Sequence, residues 1–127
     1  MCGIVGILNR SQSVDRDILE RMSNEIVHRG PDDSGFHISG RVGLGVRRLS
    51  VIDLEGGAQP IANEDKSCWI VYNGETYNYP SLREHLVETG HKLATHSDTE
   101  TIVHLYETHG AACVDHLNGM FAFAVHD

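Results

Sequence analysis

Cys2 stands directly behind Met1. Removal of Met1, which the small side chain behind it permits, would leave one residue carrying both a thiol and a free α-amino group. A thiol attacks as thiolate, and with an ordinary pKa of about 8.5 a cysteine needs a neighbouring base or an electropositive site near neutrality. An unprotonated α-amine, with an ordinary pKa of about 7.7–8.0, can take that proton directly or through one water. The opening residues are equally consistent with a cysteine that merely falls second, so the weight rests on what accompanies it. Arg48 lies between two apolar runs, Val42–Val46 and Leu49–Ile52. There an unpaired guanidinium would be costly, and a bidentate carboxylate accounts for it better than a solvated Arg47-Arg48 pair. Asn73-Gly74 can aim a side-chain amide and a backbone N–H at one point, which is what an oxyanion hole needs. Asp98 follows Ser97 at a helix start; the helix dipole accounts for it in part, and a ligand ammonium would account for it equally well.

The elements that must hold these groups follow from periodicity. Gly3–Leu8 reads as a short apolar strand starting at the thiol, and residues 9–13 as a polar turn. Val14, Ile18, Met22 and Ile26, with Leu19 beside them, read as an amphipathic helix with Met22 in the core, stopped by Gly30-Pro31. His28–Gly35 reads as a polar loop. Val42–Val46 alternates apolar residues with glycine and reads as a strand that another backbone approaches closely. Residues 55–60 and 63–67 read as turns with no regular element between them. Cys68–Tyr72 reads as a buried strand ending at Asn73-Gly74. Asn-Gly is first a hairpin signal, but Glu75-Thr76-Tyr77-Asn78 leads instead to Pro80 and a helical run with Leu82, Leu86 and Val87, stopped by Gly90. Ser97 and Glu100 have capping-box spacing, ahead of a helix that turns Ile102, Val103 and Tyr106 inward and stops at Gly110. Leu117–Val125 reads as a strand buried on both faces. A sheet so covered needs more strands than follow, so the chain reads as the first part of a longer domain.

With 127 residues the chain suffices for one domain with a real core. Lys plus Arg number 10 against 18 Asp plus Glu, a net charge of −8; this acidic balance argues against nucleic acid or an anionic membrane as partner. No stretch has the length and apolarity of a membrane span and none reads as a signal peptide, which implies a cytoplasmic protein. Cys2, Cys68 and Cys113 include no CxxC pair, and Cys68 and Cys113 read as buried thiols. The nine histidines show neither i, i+4 pairing on a helix nor a nearby CxxC, so no metal site is expected.

Together the four groups suit a free amino acid with a side-chain amide. Its carboxylate would meet Arg48, its ammonium Asp98, and its amide carbonyl Cys2 with the oxygen toward Asn73 and Gly74. That is amide hydrolysis on glutamine or asparagine.

Met1-Cys2-Gly3-Ile4-Val5-Gly6, His28–Gly35, Arg48–Asp53, Asn73–Asn78, Ser97–Glu100 and Gly119–Phe123, in this order and spacing, make the chain resemble the N-terminal glutaminase domain of asparagine synthetases. These are class II glutamine amidotransferases of the N-terminal-nucleophile hydrolase superfamily. The resemblance implies an α+β fold, a four-layer αββα sandwich of antiparallel sheets, over residues 1–127 as an incomplete glutaminase domain. It implies Cys2 as nucleophile and, through its amine, base, with Asn73 and Gly74 as oxyanion donors. Arg48 with Leu49, Ser50, Val51 and Ile52 would take the glutamine carboxylate, and Glu75 and Asp98 the amino end. Ammonia would pass to a synthetase domain or subunit, and ATP and magnesium would belong there, since this chain shows no phosphate loop of its own. Homo-oligomerisation is left open. The contrasting reading is a truncated, non-catalytic glutamine-binding or interaction module. Val46, Ala58 and Thr76 depart from the family pattern, which often has His, His and an apolar residue there.

Overall fold

Gly3–Leu8 is the first strand, β1, and it pairs in antiparallel register with β3 (Val42–Arg48), Gly3 opposite Arg47 and Leu8 opposite Val42. The computed structural model describes residues 2–49 and 57–127. In chain order these form β1, α1 (Arg16–Glu25), β2 (Asp33–Ser39), β3 (Val42–Arg48), β4 (Ile61–Ala62), β5 (Trp69–Thr76), α2 (Tyr79–Glu88), α3 (Asp98–His109) and β6 (Gly119–His126). The described strands make two antiparallel sheets, ordered β1-β3-β2 and β4-β5-β6.

The sheets face one another because each central strand is apolar on both sides. Leu44 and Val46 of β3 meet Val71 of β5 between the sheets, with Cys2, Ile4 and Ala124 packed around them. On the far side of β5, Ile70 and Tyr72 pack on Ile102 and Val103 of α3, and α2 joins that layer where Leu86 meets Leu105 and Cys113. On the far side of the first sheet lies α1. The layers are therefore α1, sheet, sheet, α2 with α3, the αββα order expected. Removing from water a side chain as completely buried as Ile70 or Ile102 contributes about 1.5–3 kcal/mol.

Several local expectations are overturned. The helix of Val14, Ile18, Met22 and Ile26 buries a different stripe. Asp15 is its N-cap, accepting from Asp17 N–H, so Val14 lies outside it, and the buried residues are Leu19 and Ser23 while Ile18 and Met22 are exposed. A spacing of exactly four drifts around a helix of 3.6 residues per turn, so that row does not stay on one face. The glycines of β3 admit side chains rather than another backbone: a Cβ on Gly43 would meet Val14 Cγ1 at 2.8 Å and Leu19 Cδ2 at 3.2 Å. Asp33–Ser39, half of it read as loop, is a strand. Its residues are turn-prone, and pairing along all of β3 overrides that preference. A two-residue strand, β4, forms where no element was expected.

The strand of Cys68–Tyr72 does not stop at Asn73-Gly74 but runs through them to Thr76. Gly74 makes this possible, since a Cβ there would lie 2.2 Å from the carbonyl oxygen of Met120 on β6. The capping box is half formed. Ser97 Oγ accepts from Thr99 N–H, but the Glu100 carboxylate takes Ala94 N–H, Thr95 N–H and the Thr95 hydroxyl, each at 2.7 Å, because that segment folds back over the helix start. Finally, β6 is not buried on both faces: Met120 is 62% and Phe121 36% exposed. Among the described strands it pairs only with β5, at the edge of its sheet, and its apolar run overstates its cover.

Candidate active site

Cys2 is held at the mouth of β1 by one contact to its side chain and one to its backbone. Leu49 N–H donates to Sγ at 3.4 Å, and Sγ lies 3.8 Å from Leu49 O. Arg29, from the segment after α1, donates through Nε to the Cys2 carbonyl at 3.1 Å. This fixes the backbone on which the thiol sits. The antiparallel register then places Arg48, at the end of β3, beside it.

A cavity of about 310 Å³ opens at this point. Cys2, Arg48 and Leu49 line it from the first sheet, Gly74 and Glu75 from β5, and Asp98 from the start of α3. Its size lies at the small end of ligand pockets, suited to a metabolite. Arg48 is 7% exposed and Asp98 8%, so two opposite charges are buried in one cavity wall, while Glu75 is exposed. Asp98 Oδ2 accepts from Thr76 N–H at 3.0 Å, which ties α3 to the end of β5.

Asn73 is not among the residues lining the cavity. By strand alternation it shares the face of Val71, toward the first sheet, while Gly74 shares that of Tyr72. Its Oδ1 is buried without a hydrogen-bond partner among the described residues. Ser50, Val51 and Ile52, and the Met1 whose removal would free the amine, lie outside the described residues. The structure thus gathers Cys2, Arg48, Leu49, Gly74, Glu75 and Asp98 and sets Asn73 next to them.

Gln59 was missed. Its Oε1 accepts from Tyr72 N–H at 2.6 Å and its Nε2 donates to Thr99 Oγ1 at 3.3 Å, so one side chain bridges β5 and α3 at the cavity wall. Reading the segment as a turn hid this, because nothing in Ala58-Gln59-Pro60 signals a partner so distant in sequence. Arg29 was likewise only part of a polar loop. Thr76 is completely buried, and its hydroxyl pairs with that of Tyr72 at 2.9 Å. Burial and the charge of Asp98 push the Tyr72 phenol well above its ordinary pKa, so it stays neutral. Val46, the other buried departure from the family pattern, fills the core between the sheets.

The family model described as glutamine amidotransferase domain matches residues 1–127. The chain belongs to this family of glutamine amidotransferase domains. As a glutamine amidotransferase domain it is 44% identical over 129 residues to asparagine synthetase [glutamine-hydrolyzing] 1 of Bacillus subtilis, covering 98% of this chain and 20% of that protein. It is 47% identical over 131 residues to asparagine synthetase [glutamine-hydrolyzing] 2 of the same organism, covering 100% and 17%. The probable asparagine synthetase [glutamine-hydrolyzing] of Dictyostelium discoideum is 45% identical over 130 residues, covering 100% and 23%. The amidotransferase domain thus spans about a fifth of the length of these relatives. Among solved structures it superposes on glutamine phosphoribosylpyrophosphate amidotransferase from B. subtilis, complexed with ADP and GMP, with a TM-score of 0.77 at 19% identity, covering 97% of this chain and 34% of that one. That likeness is one of fold, the αββα sandwich of antiparallel sheets.

Proposed function

We propose that this chain hydrolyses the side-chain amide of glutamine at Cys2, releasing glutamate and ammonia for an amide transfer of the asparagine-synthetase type. The observation that carries this reading is the single cavity in which a thiol, a buried arginine and a buried aspartate converge from different elements. Arg48 binds the α-carboxylate with Leu49, Ser50, Val51 and Ile52 beside it, and Asp98 and Glu75 bind the α-ammonium. The side-chain carbonyl carbon then faces Cys2 Sγ.

With Met1 removed, the Cys2 α-amine takes the thiol proton as sulfur attacks the carbonyl. The developing oxyanion is met by the Asn73 amide and the Gly74 N–H, and a donor of this kind is typically worth about 10²–10³ in kcat. Collapse breaks the C–N bond, and the amine returns the proton to the leaving nitrogen, which departs as ammonia and leaves a γ-glutamyl thioester. Water, deprotonated by the same amine, adds to the thioester; the C–S bond breaks, giving glutamate and the restored thiol. Residues 1–127 act as the glutaminase domain, and no cofactor enters these steps. The relatives named as glutamine-hydrolysing asparagine synthetases support passing ammonia to a synthetase domain or subunit, where ATP and magnesium would act. Matching a catalytic family along the whole chain favours this over a non-catalytic binding module.

The test is the intact mass of the purified protein before and after an electrophilic glutamine analogue. Loss of Met1 and one adduct on Cys2, suppressed by excess glutamine, is the expected result, with steady-state glutaminase activity to match. A processed chain that takes no adduct, or one whose adduct glutamine does not suppress, overturns the reading.

A further inference from the structure

Outside the cavity at the thiol, beside α3, four side chains converge that the proposed hydrolysis does not use. They are Glu64 from the turn after β4, His91 just past α2, and His104 and Glu107 on α3, with one ligand atom of each lying within 4.8 Å of all the others. His104 Nδ1 is 3.5 Å from Glu64 Oε2 and 3.5 Å from Glu107 Oε2, and His91 Nδ1 is 3.6 Å from Glu107 Oε2. The His104 side chain is 1% exposed, and neither of its ring nitrogens has a hydrogen-bond partner among the described residues. Its Nε2 lies 3.8 Å from Glu100 Oε1, on the side away from the cluster, so the neutral ring can keep its proton there and turn a bare Nδ1 toward Glu64 and Glu107. A buried nitrogen without a partner, aimed at two carboxylates, calls for something between them.

We propose that these four residues form a binding site for a divalent transition cation of the zinc class, one that clips α3 to the turn after β4 and to the end of α2. Hydrogen bonding around the site fixes the tautomer this requires. Thr108 Oγ1 donates to His104 O at 3.3 Å, so it must accept from His91 Nε2 at 3.1 Å. Neutral His91 therefore carries its proton on Nε2 and turns the bare lone pair of Nδ1 toward the glutamates. Histidine ligands are commonly oriented by such a bond from their other nitrogen. Glu64 is oriented too, since its Oε1 accepts from Lys92 N–H at 2.8 Å.

The spacing is wider than a protonated pair would close to. Imidazolium–carboxylate pairs close to about 2.7–2.9 Å. Four ligands at about 2.0–2.1 Å from a tetrahedral ion stand about 3.3–3.4 Å apart; three of the pairs here lie at 3.5–3.6 Å, and His91 Nδ1 is 4.0 Å from Glu64 Oε1, so small side-chain movements would close the four onto one ion. Two nitrogens and two oxygens suit zinc, whereas calcium and magnesium prefer oxygen alone. Two carboxylates also balance the charge of a divalent ion. An open depression lined by Glu64, His91 and Glu107 gives the ion its way in.

The site is tested by titrating the purified protein with cobalt(II) and following its visible spectrum, then displacing cobalt with zinc, in wild type and in Cys2→Ala, which removes the competing thiol. Expected are the intense bands of a tetrahedral ion at one equivalent in both proteins and a melting temperature raised by zinc and restored by chelator. Glu107→Gln and His91→Ala, both at partly exposed positions, should abolish the bands while keeping the far-UV circular dichroism of wild type. Thr108→Val, which touches no metal, should weaken binding by roughly 10–100-fold. Bands lost in Cys2→Ala yet kept in Glu107→Gln would place the metal on the thiol and overturn the proposal. So would a melting temperature that ignores zinc and follows pH alone, the mark of a protonated histidine network.

Discussion

Asp98 answers two demands at once, and substitution can separate them. Its Oδ2 satisfies the buried Thr76 N–H, and its charge faces the cavity that also holds Arg48. Asp98→Asn keeps an oxygen for Thr76 but removes the charge. A hydrogen bond to a charged group is worth about 1.5–3 kcal/mol, so KM for glutamine should rise tenfold or more, at about 1.4 kcal/mol per factor of ten, with the melting temperature nearly unchanged. Asp98→Ala also strands the Thr76 N–H and should lose about 1–3 kcal/mol of stability in denaturant melts. If both variants bind glutamine as well as wild type does, the ammonium-binding role is wrong and Asp98 only closes the strand end. At this scale much was readable beforehand. Cys2, Arg48, Leu49, Gly74, Glu75 and Asp98 were named from their residue types and the family pattern, and all six line the cavity. Gln59 and Arg29 were not, because side chains that bond groups 13 and 40 residues away, or 27 for Arg29, leave no trace in local spacing.

Two elements depend on partners that periodicity does not see. β4 pairs only Ile61 with Ile70 and Ala62 with Trp69, and continuing that register would set Gln59 opposite Tyr72. The Gln59 side chain stands in for the missing ladder by accepting from Tyr72 N–H. Gln59→Ala should therefore destabilise the fold by about 1–3 kcal/mol and slow hydrolysis, because the same side chain holds Thr99, the neighbour of Asp98. Chemical denaturation alongside a glutaminase assay checks both effects. β2, whose turn-like composition concealed it, meets the second sheet through a ring cluster. His37 stacks on Trp69 of β5 at 4.4 Å, and its Nε2 lies 3.0 Å from His126 Nδ1 on β6. Burial, then the charge of His126, lowers the His37 pKa below its ordinary 6.5. The unfolded chain takes up this proton near pH 6.5 while the folded chain resists it to lower pH. The stability tied to neutral His37 is thus complete above that value and is lost as pH falls through it toward the folded pKa. Melting temperatures recorded downward from neutral pH should decline less steeply in His37→Gln than in wild type; equal slopes would show that the cluster does not couple to folding.

At the scale of the whole molecule, the layer order was legible only through the family resemblance; periodicity gave the single elements and not how they stack. What was not legible was how far cover extends, since the apolar run of β6 looks the same whether one or two strands flank it. The cavity belongs to this scale as well. Its walls come from β1, β3, β5 and α3, in two sheets and a helix layer, so no fragment of the unfolded chain reproduces it. A ligand that binds there stabilises only the folded state, by about 2.7 kcal/mol at a hundredfold excess over Kd. Cys2→Ala provides the clean measurement, for it retains Arg48, Glu75 and Asp98 but consumes no glutamine. Glutamine at that excess should raise its melting temperature by several degrees, while glutamate, which presents a second carboxylate where the amide belongs, should raise it less. Equal shifts with both would mean that the cavity recognises only the α-amino acid end. No shift with either would mean that these layers do not bind an amino acid at all, and the proposed chemistry at Cys2 would lose its substrate.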